Sequence, residues 1–139
     1  MKRIAMTLMT GLPVLLSVIV LLSSDQQTYA QQSTAIRRQP LLQQDSTIPG
    51  YELFMTIVEI PAGVSEVRHT HPGPLAGYVA EGELILEHEG RPRATYKTGT
   101  SFLVEAGKVH QGINMGSVTV KLITTLVVEK GKPANSPAQ

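Results

Sequence analysis

Beyond residue 50, short runs of aliphatic and β-branched residues alternate with glycine or proline about every eight to twelve positions. Residues 51–60 are rich in β-formers and stop at Pro61-Ala62-Gly63. Residues 77–88 make a second apolar run, closed by Glu89-Gly90-Arg91-Pro92. Residues 93–97 form a short strand, Thr98-Gly99 a turn, 100–104 a strand and Glu105-Ala106-Gly107-Lys108 another turn. Residues 109–115 and 117–129 complete the set, the last run carrying Val118, Val120, Ile123, Thr124, Thr125, Val127 and Val128. Branched side chains suit a pleated surface, and Gly and Pro supply the dihedrals that turns need. No segment carries a helical period bounded by caps. The pattern predicts an all-β domain, a sandwich or a barrel.

The ends read differently. Residues 31–50 are Gln-rich and hold Arg37-Arg38-Gln39-Pro40, which predicts an exposed lead-in, with Ile36, Leu41 and Leu42 able to pair at a sheet edge. Residues 131–139 contain two Pro, one Gly and no large apolar side chain, which predicts a mobile tail. Residues 1–30 have a basic start at Lys2-Arg3, an uncharged stretch over 4–22, and Thr28-Tyr29-Ala30 before Gln31. That order predicts a secretory signal peptide, 1–30, and a secreted or periplasmic protein. The competing reading is a retained membrane anchor, because 4–22 is close to the ~20 residues that span a bilayer.

Composition narrows the chemistry. The chain has 139 residues, 12 Lys plus Arg against 11 Asp plus Glu, 4% aromatics and no Trp. With Lys2, Arg3 and Asp25 removed, the remainder is formally neutral. A neutral, aromatic-poor domain offers neither the field nor the stacking platforms that nucleic acid requires. Without Cys, disulfides, thiolate nucleophiles, zinc fingers and iron–sulfur clusters are excluded. There is no Gly-x-Ser-x-Gly, P-loop or dinucleotide fingerprint.

Histidine remains: His69, His71, His88 and His110. His69 and His71 flank Thr70, and residues i and i+2 of an extended chain point to one side. Both imidazoles can face one space, as a metal-binding pair or as a partly exposed surface pair. His88, inside Glu87-His88-Glu89-Gly90, reads as a solvated turn residue.

The surroundings of this pair carry a resemblance. Gly63, five residues, His69-Thr70-His71 and then Gly82 resemble the first cupin motif. Gly99, five residues, Glu105-Ala106-Gly107, two residues, His110, three residues and Asn114 resemble the second. Arg68-His69-Thr70-His71-Pro72-Gly73 and the stretch 77–84 are similar to small single-domain cupins, as is Glu129-Lys130-Gly131-Lys132-Pro133. The resemblance implies a double-stranded β-helix, a small jelly-roll barrel over residues 51–130. It also implies a divalent transition metal near one mouth, held by His69 and His71 from the first motif and His110 from the second.

Two positions depart from the motifs. The first motif usually has an acidic ligand four residues after its second His, and here Leu75 stands there, followed by Ala76. The second motif usually has Pro where Glu105 stands. Glu105 reads as solvated, with an inward swing as its alternative. Glu66, Glu81 and Glu83 do not match the missing position. Three neutral imidazoles leave a divalent charge uncompensated, which disfavours Mg²⁺ and Ca²⁺ and suits iron, zinc, nickel or copper. The residual charge favours a small anionic ligand, and Leu75 adds apolar surface beside it.

The remaining candidates divide by strand parity. Tyr78 is set outside the pocket and Arg68 away from the metal. Tyr96 is a possible orienting group, and Asn114 either approaches the site or braces a turn. Phe54, Met55, Phe102, Val104 and Met115 are core residues or pocket lining, and Arg91 and Arg93 are solvated. Three functions follow: a metal-dependent small-molecule enzyme of dioxygenase type, a non-catalytic small-ligand-binding module in the same barrel, and a homodimer paired through strands of residues 36–60. None involves nucleic acid, nor a membrane once the signal is cleaved.

Overall fold

The computed structural model describes residues 34–139. The expected signal peptide, 1–30, lies outside the described residues. Among the described residues ten strands follow one another: β1 (Arg37–Asp45), β2 (Tyr51–Ile60), β3 (His69–Thr70), β4 (Leu75–Glu81), β5 (Glu83–His88), β6 (Ala94–Lys97), β7 (Ser101–Val104), β8 (His110–Ile113), β9 (Val120–Glu129) and β10 (Ser136–Pro137). They form two antiparallel five-stranded sheets, β1-β2-β9-β4-β7 and β10-β3-β8-β5-β6. Among the described residues there is no helix. The architecture is the all-β, double-stranded β-helix that the strand pattern and its resemblance imply.

Register explains the core. In the first sheet Val58 lies opposite Leu122, and Leu122 opposite Val79, so one inward row is aliphatic from β2 to β4. Leu126 and Leu75 make the next, continued by Val104 on β7. Leu84 and Leu86 of β5 meet these rows from the second sheet in one buried cluster. Ile60, Val79, Val104 and Val120 are fully buried. Alternation along each strand turns every second residue inward, which is why a chain with few aromatics still fills a core.

The expected single run over 77–88 divides at Gly82. β4 belongs to the first sheet and β5 to the second, so the chain crosses between sheets at one residue. Gly82 has φ +80°, and a Cβ there would meet Val120 Cγ2 at 3.0 Å. Positive φ and close approach together require glycine.

The lead-in pairs at a sheet edge, as expected, and the tail is more ordered than its composition predicts. The lead-in supplies β1, which pairs with β2 from Arg37 opposite Glu59 to Asp45 opposite Glu52. Its register shifts between Pro40 and Leu42, where proline lacks the N–H a regular ladder needs. The expected mobile tail supplies β10, with Ser136 opposite Thr70 and Pro137 opposite His69. Backbone pairing holds it where side chains offer little: Ala138 N–H also donates to Arg68 O at 2.9 Å.

Candidate metal centre

The second sheet aligns histidines across its strands. His69 on β3 lies opposite His110 on β8, and His110 lies opposite His88 on β5. Directly opposed residues share a face, so all three face one side. His71 follows His69 by two and joins them. The rings of His69, His71 and His110 have centroids 4.3 to 4.9 Å apart. One ring nitrogen from each lies within 4.8 Å of the others. His71 and His110 are buried, and His69 is half-buried. The three residues predicted from the paired motifs are therefore brought together.

Their outward nitrogens fix how they can act. His69 Nδ1 donates to Val67 O at 2.7 Å, His71 Nδ1 to Ala134 O at 2.8 Å, and His110 Nδ1 to Lys108 O at 3.0 Å. Carbonyl oxygen only accepts, so each Nδ1 carries the proton and each Nε2 keeps its lone pair. Three preset lone pairs converge on one space, the orientation that a carbonyl behind a ligating imidazole normally secures. Burial lowers the pKa of His110 from 6.5 to about 4, against an opposing pull from the Lys108 carbonyl. Burial likewise lowers His71, with the charges of His69 and Arg38 adding to it and the Ala134 bond opposing. Burial thus holds His71 and His110 toward the neutral form that a ligand must have.

A cavity of about 220 Å³ opens onto the three rings. Phe54, Leu75, Phe102, Leu122 and Leu126 form apolar walls, with Arg38 and Glu66 as its charged lining. Leu75 is buried beside the histidines, where the motif would carry its acid. Soft-to-borderline ions such as iron, zinc, nickel and copper fit this all-imidazole donor set, and hard oxygen-seeking ions do not.

Two readings from local sequence change. His88 is not a solvated turn residue: it is buried, because it follows Leu84 and Leu86 on the inward face of β5. Its Nδ1 donates to Glu89 O at 2.8 Å, and its Nε2 lies 2.9 Å from Glu105 Oε2, with no hydrogen bond formed between them. Glu105 therefore turns toward His88 and also pairs with Arg91, and does not join the three rings. Arg91 and Arg93 are exposed, as expected, Arg93 in a surface pair with Glu87.

Tyr78 and Arg68 fall where parity predicts, whereas Met115 and Met55, expected as core or lining, are neither. Tyr78 is exposed on the outer face of β4. Arg68 is exposed, and Tyr96 packs against Phe102 with centroids 5.3 Å apart. Asn114 is buried and braces a turn, donating to Ile60 O and Val118 O at 2.8 Å each and accepting from Gly116 N–H at 2.9 Å. Phe54 and Phe102 line the cavity, Val104 is core and Met115 is exposed. Met55 is half-buried on the outer face of β2. Sequence reasoning missed Arg38 and the Ala134 carbonyl, and set Glu66 aside. Arg38 shares the register row of Val58, a signal that shows only once β1 is a strand.

A family model described as Cupin domain matches residues 56–128. No curated protein matches the chain. Among solved structures, an uncharacterized conserved protein with a double-stranded β-helix domain from Klebsiella pneumoniae is 17% identical, with TM-score 0.60 over 75% of this chain and 84% of that one. The DMSP lyase DddQ from Ruegeria pomeroyi is 18% identical, with TM-score 0.61 over 74% of this chain and 51% of that one. A recombinant oxalate oxidase in complex with glycolate is 18% identical, with TM-score 0.59 over 76% and 56%. With the family model spanning more than half of its length, the chain belongs to the cupin family.

Proposed function

We propose that this cupin is an exported metal-dependent protein that acts on a small anionic molecule with an apolar part, with dioxygenase-type turnover as its chemistry. One observation carries the reading: three Nε2 lone pairs, each preset by a backbone carbonyl behind its ring, converge beside an apolar cavity. His69, His71 and His110 hold the ion. When bound, the metal supplies Lewis acidity toward an oxygen donor and, in the case of iron, electron exchange with dioxygen. Leu75 and its apolar neighbours exclude water around the ligand, and the uncompensated divalent charge favours an anion. Two structural neighbours, an oxalate oxidase in complex with glycolate and a DMSP lyase, support a cupin barrel as a host for small acids.

A second reading is a non-catalytic ligand-binding module, favoured by Leu75 at the position of the usual acid. Elemental analysis of protein from its own host, followed by oxygen uptake with diketones, enols and thiols, separates the two. The His69→Ala/His110→Ala double variant is expected to stay folded and lose its metal. Stoichiometric metal retained by that variant refutes the site.

A further inference from the structure

Among the described residues that line the cavity, Arg38 is the one Arg or Lys and Glu66 the one acid. Arg38 lies on a strand whose residues are nearly all exposed, where an arginine ordinarily points to water. Its register partner is Val58, which is buried, so Arg38 is on the cavity side of β1 and lines the mouth, with its side chain still 45% exposed. Its Nη2 donates to Glu66 Oε1 at 2.6 Å, and Glu66 Oε2 accepts the Gly112 N–H at 3.2 Å. Glu66 lies over Gly112 so closely that a Cβ there would meet its Oε2 at 2.8 Å. The absence of a side chain at residue 112 is what admits this carboxylate.

Gly112 and His110 are two residues apart on β8, roughly 7 Å at ~3.3 Å per residue. The Arg38–Glu66 pair therefore marks a polar pole one step along the cavity from the histidine pole. The rest of the wall is mostly apolar, with Thr56, Thr124 and Asn135 as its uncharged polar members. At about 220 Å³ the space is below the ~300–1,000 Å³ of sites for drug-sized molecules, so the occupant is short. A guanidinium has five N–H donors in a planar fork that matches carboxylate. Glu66 keeps the Gly112 N–H if Arg38 turns to another anion, so the exchange leaves no carboxylate without a donor.

We propose that Arg38 anchors the carboxylate of this site's ligand, and that the ligand is a short keto- or hydroxy-acid whose second oxygen reaches the three histidines. The placement of that second oxygen rests on the three-histidine reading; the Arg38 anchor does not. The carboxylate goes to Arg38 and not to the metal, so acid recognition survives without an ion.

Isothermal titration with 4-oxopentanoate and its methyl ester tests this, on metal-free and zinc-loaded protein. Wild type is expected to prefer the acid over the ester at least tenfold in both forms. Arg38→Gln should weaken the acid at least tenfold, erase the preference and leave zinc stoichiometry unchanged. Arg38→Lys should keep part of the preference, and Glu66→Gln, which removes the competing carboxylate, should tighten the acid several-fold. Unchanged acid affinity in folded Arg38→Gln overturns the proposal, as does a wild-type preference that is absent or confined to the zinc form. If Arg38→Gln does not fold, the wild-type comparison and Arg38→Lys decide. Failure of wild type to hold zinc sinks the three-histidine reading alone, since the metal-free titration still decides on Arg38.

Discussion

In the first sheet, β2 and β9 pair without a register shift from Tyr51 opposite Glu129 to Ile60 opposite Val120. In the second, β3 meets β8 at a single residue pair, His69 opposite His110. The first sheet turns aliphatic rows inward. The second turns imidazoles inward along the very row that crosses β3, β8 and β5. Long ladders between branched residues tolerate no slip, because a one-residue shift would carry the apolar set to the solvent face. Short ladders leave backbone carbonyls unclaimed, and those of Val67, Lys108 and Ala134 are what the histidine rings bind. One wall supplies stability, and the other spends its hydrogen-bonding capacity on orienting ligands.

That division can be broken from either side. The largest effect is expected in the first sheet. Ile60→Ala, at a fully buried position, should cost about 2–5 kcal/mol in denaturant unfolding while the folded fraction keeps its full metal content. Metal loss in that folded fraction would break the division.

Acid should act mainly through the second sheet. The folded-state pKa of His110 is about 4 against an ordinary 6.5, so between those values the unfolded chain binds more protons. Its contribution to stability is complete above about pH 6.5 and is lost as pH falls toward 4, a change on the order of 3 kcal/mol. Urea unfolding of metal-free protein across this range checks it. His110→Gln should flatten the profile, with the residual slope coming from His71, which burial lowers in the same direction.

Leu75→Glu brings the two walls into conflict. It puts a carboxylate on the first sheet's inward face, where the motif usually carries one. Metal-free protein should lose about 1–3 kcal/mol from the buried polar group, and added divalent ion should restore it. A thermal melt with and without Mn²⁺ reads both effects, and a loss that metal does not relieve would separate residue 75 from the site.

The smallest effect on stability is expected at the tail. Deleting residues 133–139 removes the Ala134 carbonyl from His71 and should lower metal affinity ~10–100-fold. Folding stability should change by only about 1 kcal/mol. Competitive chelator titration beside a melt distinguishes the two quantities.

Much of this was legible in the sequence because the signals were local. Glycines at fixed distances bracketed the motif strands, and alternate parity placed Tyr78 outside and Leu75 inside. His69, His71 and His110 followed from two spaced motifs that the barrel then joined. What escaped lay in pairings between distant segments. The polar neighbours of His88 suggest solvent, while its parity with Leu84 and Leu86 points inward. Arg38 became a cavity residue only through the register of β1 against β2. The tail docks on β3 through main-chain atoms, and no side-chain pattern advertises that. Local sequence leaves Glu105 between solvent and an inward swing, because its partner, His88, lies on a distant strand.

The tail's hydrogen bonds and strand pairing at the site are written in main-chain atoms: the Ala134 carbonyl, the Ala138 amide, and the pairing of Ser136 and Pro137 with β3, while Ala134 and Asn135 also line the cavity. A redesign that keeps Ala134 and Asn135 can therefore respell the other residues of 132–138 and leave the carbonyl behind His71 in place. Inserting or deleting one residue before position 134 is another matter, because it slides a different carbonyl to the ring and inverts which side chains face Thr70. Here the molecule counts letters rather than reading them.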